Sequence, residues 1–275
     1  MSEAKRNHVH QMWAYVAERW ADHADLAELR GAPITSALDA GLGIQQTDRV
    51  LELACGPGGY GLHVASAAAE VVLTDVVPAM VDIAAKRAAD TGVLNARFAV
   101  RDLEAIDEPD AAYDVVVCRD GLMFAADPVA ALRECARVLR AGGRLGVAVW
   151  AEKVRNPWLG VPFDAMSERI GHEVPPAGMP GPFSLGDADA LVAATREAGF
   201  GDVTLESVDV PLFAPSLEAW WARTRHVMPL AKIIERLSPE RQDAIDAAVR
   251  DAARPYVRAD GTVLLPGTAH VLIAR

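Results

Sequence analysis

The sequence is poor in cysteine and in long apolar runs. Its 275 residues include three cysteines, Cys55, Cys118 and Cys135. They form no C-x-x-C pair and no metal-ligand spacing, so we expect neither a disulfide framework nor a metal site, and a reducing cytoplasm suits them best. No segment approaches the roughly 18–20 uninterrupted apolar residues that a bilayer span needs. The polar start MSEAKRNHVHQ has no apolar core, so we expect no signal peptide.

Positive charge is also scarce. Lys and Arg number 27 against 38 Asp and Glu, which gives a formal net charge of −11. This balance argues against nucleic acid or an anionic membrane as the main partner. At 51% hydrophobic residues the chain is typical of a globular protein. We therefore expect a small-molecule partner, with a monomer and a homodimer both left open.

Short β-rich runs alternate with helical patterns through the first half of the chain. Strands rich in Val and Leu that alternate with helices predict a parallel sheet covered on both faces, which is a doubly wound α/β fold. The expected strands are 49–54, 70–75, 96–100, 113–119 and 143–150, and the expected helices between them are 59–69, 78–90 and 128–140.

Segments outside this alternation predict the rest of the organisation. A helix is expected at 11–30. Gly31 and Pro33 are expected to end this helix, and a second short helical stretch follows them. A helix at 187–198 and a strand around Val203–Val210 resume the alternation, and AHVLIAR is expected to be the last strand. We expect the chain to divide into an N-terminal helical lid segment at 1–45, a core at 46–150, an insertion or lid at 151–186, and a completion of the core at 187–275 that carries a helical substrate cap at about 215–254.

The stretch ELACGPGGYG (52–61) follows the first predicted strand and contains G-x-G-x-x-G at Gly56, Gly58 and Gly61. Such a turn admits a dinucleotide, S-adenosylmethionine (SAM), or no ligand at all. Glu52 would repel a pyrophosphate but would attract an α-ammonium group. Pro57 removes one N–H donor from the loop. These two residues favour SAM over NAD.

Two further acidic residues follow the next predicted strands. Asp75 ends the second strand, where a carboxylate suits the ribose hydroxyls of either cofactor. Asp102 follows the third strand, where it would accept a hydrogen bond from an adenine amino group or would simply cap a turn.

Five stretches in order carry a family resemblance: VLELACGPGG, LTDVVPAMVDIA, VRDLEAI, YDVVVCRDGLMF and ALRECARVLRAGGRLGVAVW. The chain resembles class I SAM-dependent methyltransferases, in particular the UbiE-like (type 11) group, most strongly over 46–150. The resemblance implies a Rossmann-like sheet of about seven strands, the last antiparallel, and methyl transfer from SAM to a small molecule. The chain departs from the family pattern at one position. Ala54 stands where the family usually has the first glycine of the glycine-rich motif.

The resemblance also implies the cofactor-binding residues. Glu52, Ala54 and Gly56 would surround the methionine moiety, and the backbone carbonyl of Arg119 would receive the ammonium group. Asp75 would bind the ribose, Val76 would pack on the adenine, and Asp102 and Leu103 would hold the adenine edge. Met80 and Gly58 complete the implied set of cofactor-binding residues. Trp13 and Trp20 resemble aromatic positions that close over the cofactor, although helical spacing is equally consistent with core packing.

Methyl transfer to a small molecule is an in-line displacement that demands no fixed catalytic signature, and the acceptor atom could be O, N or C. A hydroxyl acceptor would benefit from a base, for which His226 and Asp120 are the candidates. The stretch EAWWARTRHVMPL around His226 is either an aromatic pocket with arginines that grip an acidic molecule or an amphipathic helix with buried tryptophans. A SAM-binding enzyme or sensor that transfers no methyl group, or an NAD-linked dehydrogenase, remain the alternative functions.

Overall fold

The computed structural model describes residues 2–228 and 230–275. These residues contain nine strands: β1 (Arg49–Leu53), β2 (Glu70–Asp75), β3 (Ala96–Val100), β4 (Tyr113–Arg119), β5 (Leu139–Trp150), β6 (Val203–Asp209), β7 (Leu212–Ala214), β8 (Val263–Leu265) and β9 (Thr268–Ala274). Seven of them form one sheet in the order β3-β2-β1-β4-β5-β9-β6.

The first five strands of this sheet are mutually parallel, whereas β9 runs antiparallel to both β5 and β6. Val115, Val116 and Val117 in the central strand β4 are fully buried, as expected for a sheet that is covered on both faces. The sequence order of the strands reverses between β1 and β4, and the carboxyl ends of these strands therefore form the crevice where open α/β sheets bind ligands. The predicted fold class, with its antiparallel last strand, is confirmed.

Ten α-helices surround the sheet in the described part of the chain: α1 (Ser2–Val16), α2 (Ala24–Leu42), α3 (Gly59–Val64), α4 (Pro78–Thr91), α5 (Pro128–Val138), α6 (Pro157–Ile170), α7 (Ala188–Glu197), α8 (Leu217–Val227), α9 (Ala231–Ile234) and α10 (Pro239–Ala253). The core strands and helices begin and end within a few residues of their predicted bounds.

The predicted break in the N-terminal helical region was wrong. The helix interruption falls at 17–23, and α2 continues through Gly31 and Pro33. Proline inside a helix removes one hydrogen bond and crowds the preceding turn. In α2 this cost is offset by burial of Ile34, Leu38 and Leu42, of which Leu38 and Leu42 lie against Gly146 of β5.

A second apolar cluster lies beside the sheet. Strands β7 and β8 form an antiparallel pair that the sequence did not predict, because each has only three residues and they are far apart in the chain. This pair of strands packs with α6, α8 and α10 around Trp220, Trp221 and Met166. The helical content expected at 215–254 is present as α8, α9 and α10. The division of the chain into lid, core and cap remains a prediction.

Candidate active site

A cavity of about 480 Å³ opens at the carboxyl ends of β1, β2 and β4. We call it the central cavity. It lies between the sheet edge, the N-terminal helices and the segment that contains α8. Twelve of the fourteen predicted site residues line it: Trp13, Trp20, Glu52, Ala54, Gly56, Asp75, Val76, Met80, Asp102, Leu103, Arg119 and Asp120. Gly58 and His226 do not.

The glycine-rich turn is built around Glu52. The carboxylate of Glu52 is buried, and its Oε2 accepts a hydrogen bond of 2.8 Å from the backbone N–H of Gly61. A Cβ atom at position 61 would lie 2.5 Å from this same oxygen, so the third glycine of G-x-G-x-x-G makes room for Glu52. Gly58 packs in the opposite direction, where a Cβ would lie 2.9 Å from the Cβ of Ala84. Gly58 therefore shapes the turn from the side of α4 and does not line the central cavity.

Burial raises the pKa of Glu52 to about 8, against the opposing effects of Arg119 and the Gly61 N–H. A carboxyl group so placed gains most from a cationic partner, which would favour its charged form. Glu52 also lines the central cavity, so it is accessible to a ligand from that side.

Asp75 joins the glycine-rich turn to the start of α4. Its Oδ2 accepts from the N–H of Gly56 and its Oδ1 from the N–H of Val77, both at 2.9 Å. Burial raises the pKa of Asp75, and these two hydrogen bonds oppose the rise. Each carboxylate oxygen can still accept a further bond at the cavity, since a carboxylate offers about four lone-pair sites.

Asp102 caps a turn at the edge of the central cavity. Its Oδ1 accepts from the N–H of Glu104 at 2.9 Å, so it caps a turn, and it also lines the central cavity. Arg6 of α1 lies beside it, with Nε 3.4 Å from Oδ2. The N-terminal helix thereby lies against the loop that follows β3.

The tryptophans of the N-terminal segment also serve two purposes. Trp13 and Trp20 pack beside Met80 in a small apolar cluster and, at the same time, line the central cavity. The ring of Trp13 meets that of Phe124 edge-on at 5.0 Å. The indole N–H of Trp20 is buried and has no hydrogen-bond partner among the described residues. Such an atom is normally satisfied, which makes it a candidate donor to a ligand.

Arg119 and Asp120 follow one another at the end of β4. Asp120 has a φ of 60°, an uncommon conformation for a residue with a side chain. Its Oδ1 is buried and, within the described residues, unpartnered. Burial raises the pKa of Asp120 to about 6, while Arg119 and Arg30 oppose the rise. At neutral pH the group is thus a carboxylate that faces the cavity and is able to accept a proton.

His226 lies outside the central cavity, contrary to its predicted role as a base. It is exposed and borders a separate shallow depression between α8 and α10. The ring of His23, whose centroid is 5.7 Å from that of His226, lines the central cavity instead. The helical phase of α8 explains the difference, because Arg223, Thr224 and Val227 occupy the face that lines the cavity.

Two interpretations were open for the stretch around Trp220 and Trp221. For these two residues, the structure supports the amphipathic helix with buried tryptophans. Both side chains are buried in the second cluster, and the indole N–H of Trp221 donates to Asp246 at 2.8 Å. Arg225 pairs with the same carboxylate at 2.6 Å. Arg223 differs from Arg225, because it lines the central cavity.

Glu28 and Arg30 are two of the cavity residues that the sequence interpretation missed. Glu28 of α2 pairs with Arg119, and Arg30 stacks on Trp158 with its guanidinium carbon 3.8 Å from the ring centroid. Both occur in an ordinary amphipathic helix. Their role depends on how α2 packs against the sheet, for which the sequence carries no local signal.

Among the described residues, no helix is long and apolar enough to cross a membrane. The same residues contain no group of three or more His, Cys, Asp or Glu side chains placed to hold a metal ion.

Comparison with known proteins identifies the class of this domain. Residues 50–143 match a family described as a methyltransferase domain. An uncharacterised protein of Mycobacterium tuberculosis is 37% identical over 139 residues, which cover 50% of this chain and 48% of that protein. The ubiquinone/menaquinone biosynthesis C-methyltransferase UbiE of Azotobacter vinelandii is 36% identical over 129 residues, which cover 46% of this chain and 51% of UbiE. The chain thus spans about half the length of the curated relatives it matches.

Two solved structures share the fold over most of this chain. The [4+2]-cyclase SpnF has a TM-score of 0.57 at 22% identity and covers 96% of each chain. Phosphoethanolamine N-methyltransferase 2 of Haemonchus contortus, solved with S-adenosyl-L-methionine, has a TM-score of 0.56 at 16% identity and covers 88% of this chain and 52% of that chain. The sheet order and the family match together define a class I methyltransferase domain. The chain carries this domain at residues 50–143.

Proposed function

We propose that this protein is a SAM-dependent methyltransferase that acts on a small molecule. The observation that carries the proposal is the cavity at the strand ends of the methyltransferase domain. There, Glu52, Asp75 and Asp102 line one wall in the order of β1, β2 and β3. Three carboxylates along one wall suit a ligand that offers an ammonium group, two ribose hydroxyls and an adenine amino group in sequence.

The side chains present fit this cofactor. Glu52 would take the ammonium group, together with the backbone carbonyl of Arg119, and Ala54 and Gly56 would lie along the methionine chain. Asp75 would accept from the ribose, and Asp102 and Leu103 would hold the adenine edge. The apolar cluster of Trp13, Trp20, Val76 and Met80 would cover the adenine, and the unpartnered N–H of Trp20 offers one more donor. When bound, SAM supplies a methyl group activated on a sulfonium sulfur.

A dinucleotide fits less well, because three N–H groups of the glycine-rich turn already have partners. The N–H of Gly56 is bonded to Asp75, that of Gly58 to the carbonyl of Cys55, and that of Gly61 to Glu52. Pro57 has none. A pyrophosphate would meet few free donors and a nearby carboxylate, so these contacts oppose the NAD-linked alternative.

Asp120 is the base that we propose for a hydroxyl or otherwise protonated acceptor. It lines the cavity, its Oδ1 has no partner in the described chain, and it is a carboxylate at neutral pH. The cavity wall also includes apolar side chains, among them Met123, Phe124 and Leu212. Such a wall would exclude water and fix a small aromatic or quinone-like acceptor, which is also the kind of molecule named for UbiE.

The test is methyl transfer itself. The protein is incubated with methyl-labelled SAM and a panel of small hydroxylated aromatic compounds, and S-adenosylhomocysteine (SAH) and labelled products are measured by mass spectrometry. We expect acceptor-dependent SAH formation. A protein that binds SAH tightly but forms no product with any acceptor would instead belong to the non-methylating class, as an enzyme or a sensor on the same fold. The full-length match to the cyclase SpnF makes that the second candidate.

A further inference from the structure

Two arginines line the acceptor side of the central cavity without a carboxylate partner. Arg30 lies in α2 and Arg223 in α8. Neither forms an ion pair within the part of the chain that the structure describes, whereas Arg119 and Arg225 are both paired with acids. Arginines that face a cavity without a counter-ion are costly for a fold, and they indicate a site for an anion.

The guanidinium group of Arg30 is held in one orientation. Its carbon lies 3.8 Å from the ring centroid of Trp158 and 4.8 Å from that of Trp150. One terminal nitrogen donates to the carbonyl of Val210 at 3.2 Å. The Nε atom is buried and finds no partner among the described residues. Stacking therefore fixes the plane of the group, and an unused donor is left.

The electrostatics of the two arginines are linked. The pKa of Arg30 is lowered to about 9, mainly by burial; Asp120 opposes this change and Arg223 adds to it. Burial also lowers the pKa of Arg223. Burial thus disfavours both charges, and no carboxylate forms an ion pair with either group within the described residues.

We propose that the acceptor carries a carboxylate group that binds between Arg30 and Arg223. This proposal rests on the proposed methyltransferase function and adds the substrate class: small apolar or aromatic carboxylic acids. The charge balance favours a carboxylate over a phosphate ester. One negative charge beside Asp120 neutralises the two arginines, whereas a dianion would leave excess negative charge in a largely apolar cavity.

The experiment compares three probes with the same ring: naphthoate, naphthamide and naphthyl phosphate. Each is titrated near neutral pH into protein saturated with SAH, and binding is followed by calorimetry and by fluorescence of the tryptophans beside Arg30. We expect naphthoate to bind about tenfold or more tightly than naphthamide, since hydrogen bonds to charged groups contribute that much. Naphthyl phosphate should bind more weakly than naphthoate.

Variants assign the preference to the arginines. Arg223→Gln should remove most of the difference between acid and amide, and Arg223→Lys should retain part of it. Arg225→Gln is the matched control on the same helix, because Arg225 pairs with Asp246 outside the central cavity; its preference should equal that of the wild type. Arg30→Lys keeps the charge but loses the planar stack, and it should weaken naphthoate binding more than naphthamide binding.

The outcomes separate the two proposals. If SAH binds but acid and amide bind alike, or neither binds at millimolar concentration, the carboxylate site is wrong while the cofactor assignment stands. Tighter binding of naphthyl phosphate would overturn the choice of a carboxylate. Failure of SAH itself to bind would instead contradict the proposed function.

Discussion

Arg119, at the end of β4, and Glu28, in α2, form a bidentate ion pair with nitrogen–oxygen distances of 2.5 and 2.8 Å. Only 12% of the Arg119 side chain and 25% of the Glu28 side chain are exposed. The pair joins α2 to the carboxyl end of β4 and fixes the turn that presents Asp120. The sequence placed α2 in the predicted lid segment at 1–45. Through Glu28, α2 is also part of the cavity wall that we propose for the cofactor.

Glu28→Gln tests this connection. The substitution leaves a mostly buried guanidinium without its counter-ion, and we expect the free energy of unfolding to fall by about 2 kcal/mol. The affinity for SAH should fall about tenfold, because the carbonyl of Arg119 is no longer held in place. Urea unfolding and calorimetry measure the two effects. Glu197→Gln, which disturbs an exposed pair with Arg133, is the control. Indistinguishable results for the two variants would contradict the assigned role.

Glu52 should make the fold less stable as the pH rises. Its pKa is about 8 in the folded protein against 4.5 as its ordinary value. Between these values the folded state binds more protons than the unfolded state, so stability falls as the pH increases from about 4.5 to about 8. Glu52→Gln removes this contribution and should raise the free energy of unfolding at pH 8 by about 2 kcal/mol.

The same variant should bind SAH more weakly, because it has lost the charge that we propose for the ammonium group. Urea unfolding at pH 5 and at pH 8 isolates the stability effect, with little change expected at the lower pH. A variant that is destabilised equally at both pH values would point to a packing role for Glu52 and against the electrostatic one.

Asp120→Asn tests the proposed base. General-base catalysis contributes typically about 10²–10⁴-fold, so kcat for a hydroxyl acceptor should fall by at least about a hundredfold. The affinity for SAH should stay nearly unchanged. In the wild type, activity should be lost as the pH falls through about 6, where Asp120 becomes protonated, and the variant should lack this limb. Asp202→Asn, at an exposed ion pair with Arg275, serves as control. An unaltered pH profile in the Asp120→Asn variant would exclude Asp120 as the base.

Ala54→Gly should stabilise the protein. Ala54 has a φ of 50°, the left-handed region that costs a residue with a side chain about 1–2 kcal/mol. Part of that gain is lost to the greater freedom of glycine in the unfolded chain, so we expect a net gain of about 0.5–1 kcal/mol. Ala89→Gly, at an exposed position of α4, should destabilise by about 1 kcal/mol. Equal losses for both variants would mean that the backbone at position 54 is unstrained.

The sheet was predictable because its strands carry their signal locally. Runs such as EVVLTD and YDVVVCR have the composition of buried parallel strands, and both match the observed bounds. The carboxylates at strand ends were predictable for the same reason, since a strand end fixes its position at the crevice. Ala54 is instructive here, because the residue that departs from the family pattern has the backbone conformation that favours glycine.

Features that depend on long-range packing were not predictable. Pro33 gives a strong local signal for a break, yet the burial of neighbouring leucines keeps α2 continuous. His226 and Arg223 lie three residues apart on α8, and only the rotation of that helix decides which of them lines the cavity. Glu28 and Arg30 acquire their roles from distant partners in the chain, Arg119 and Trp158.

Calorimetric titration with SAH and with NADH, on the wild type and on Glu52→Gln, tests the central claim most directly. We predict that SAH binds the wild type, that Glu52→Gln weakens this binding about tenfold or more, and that NADH gives no heat of binding. Absence of SAH binding at millimolar concentration, or binding of NADH in its place, would contradict the assignment of the central cavity to SAM.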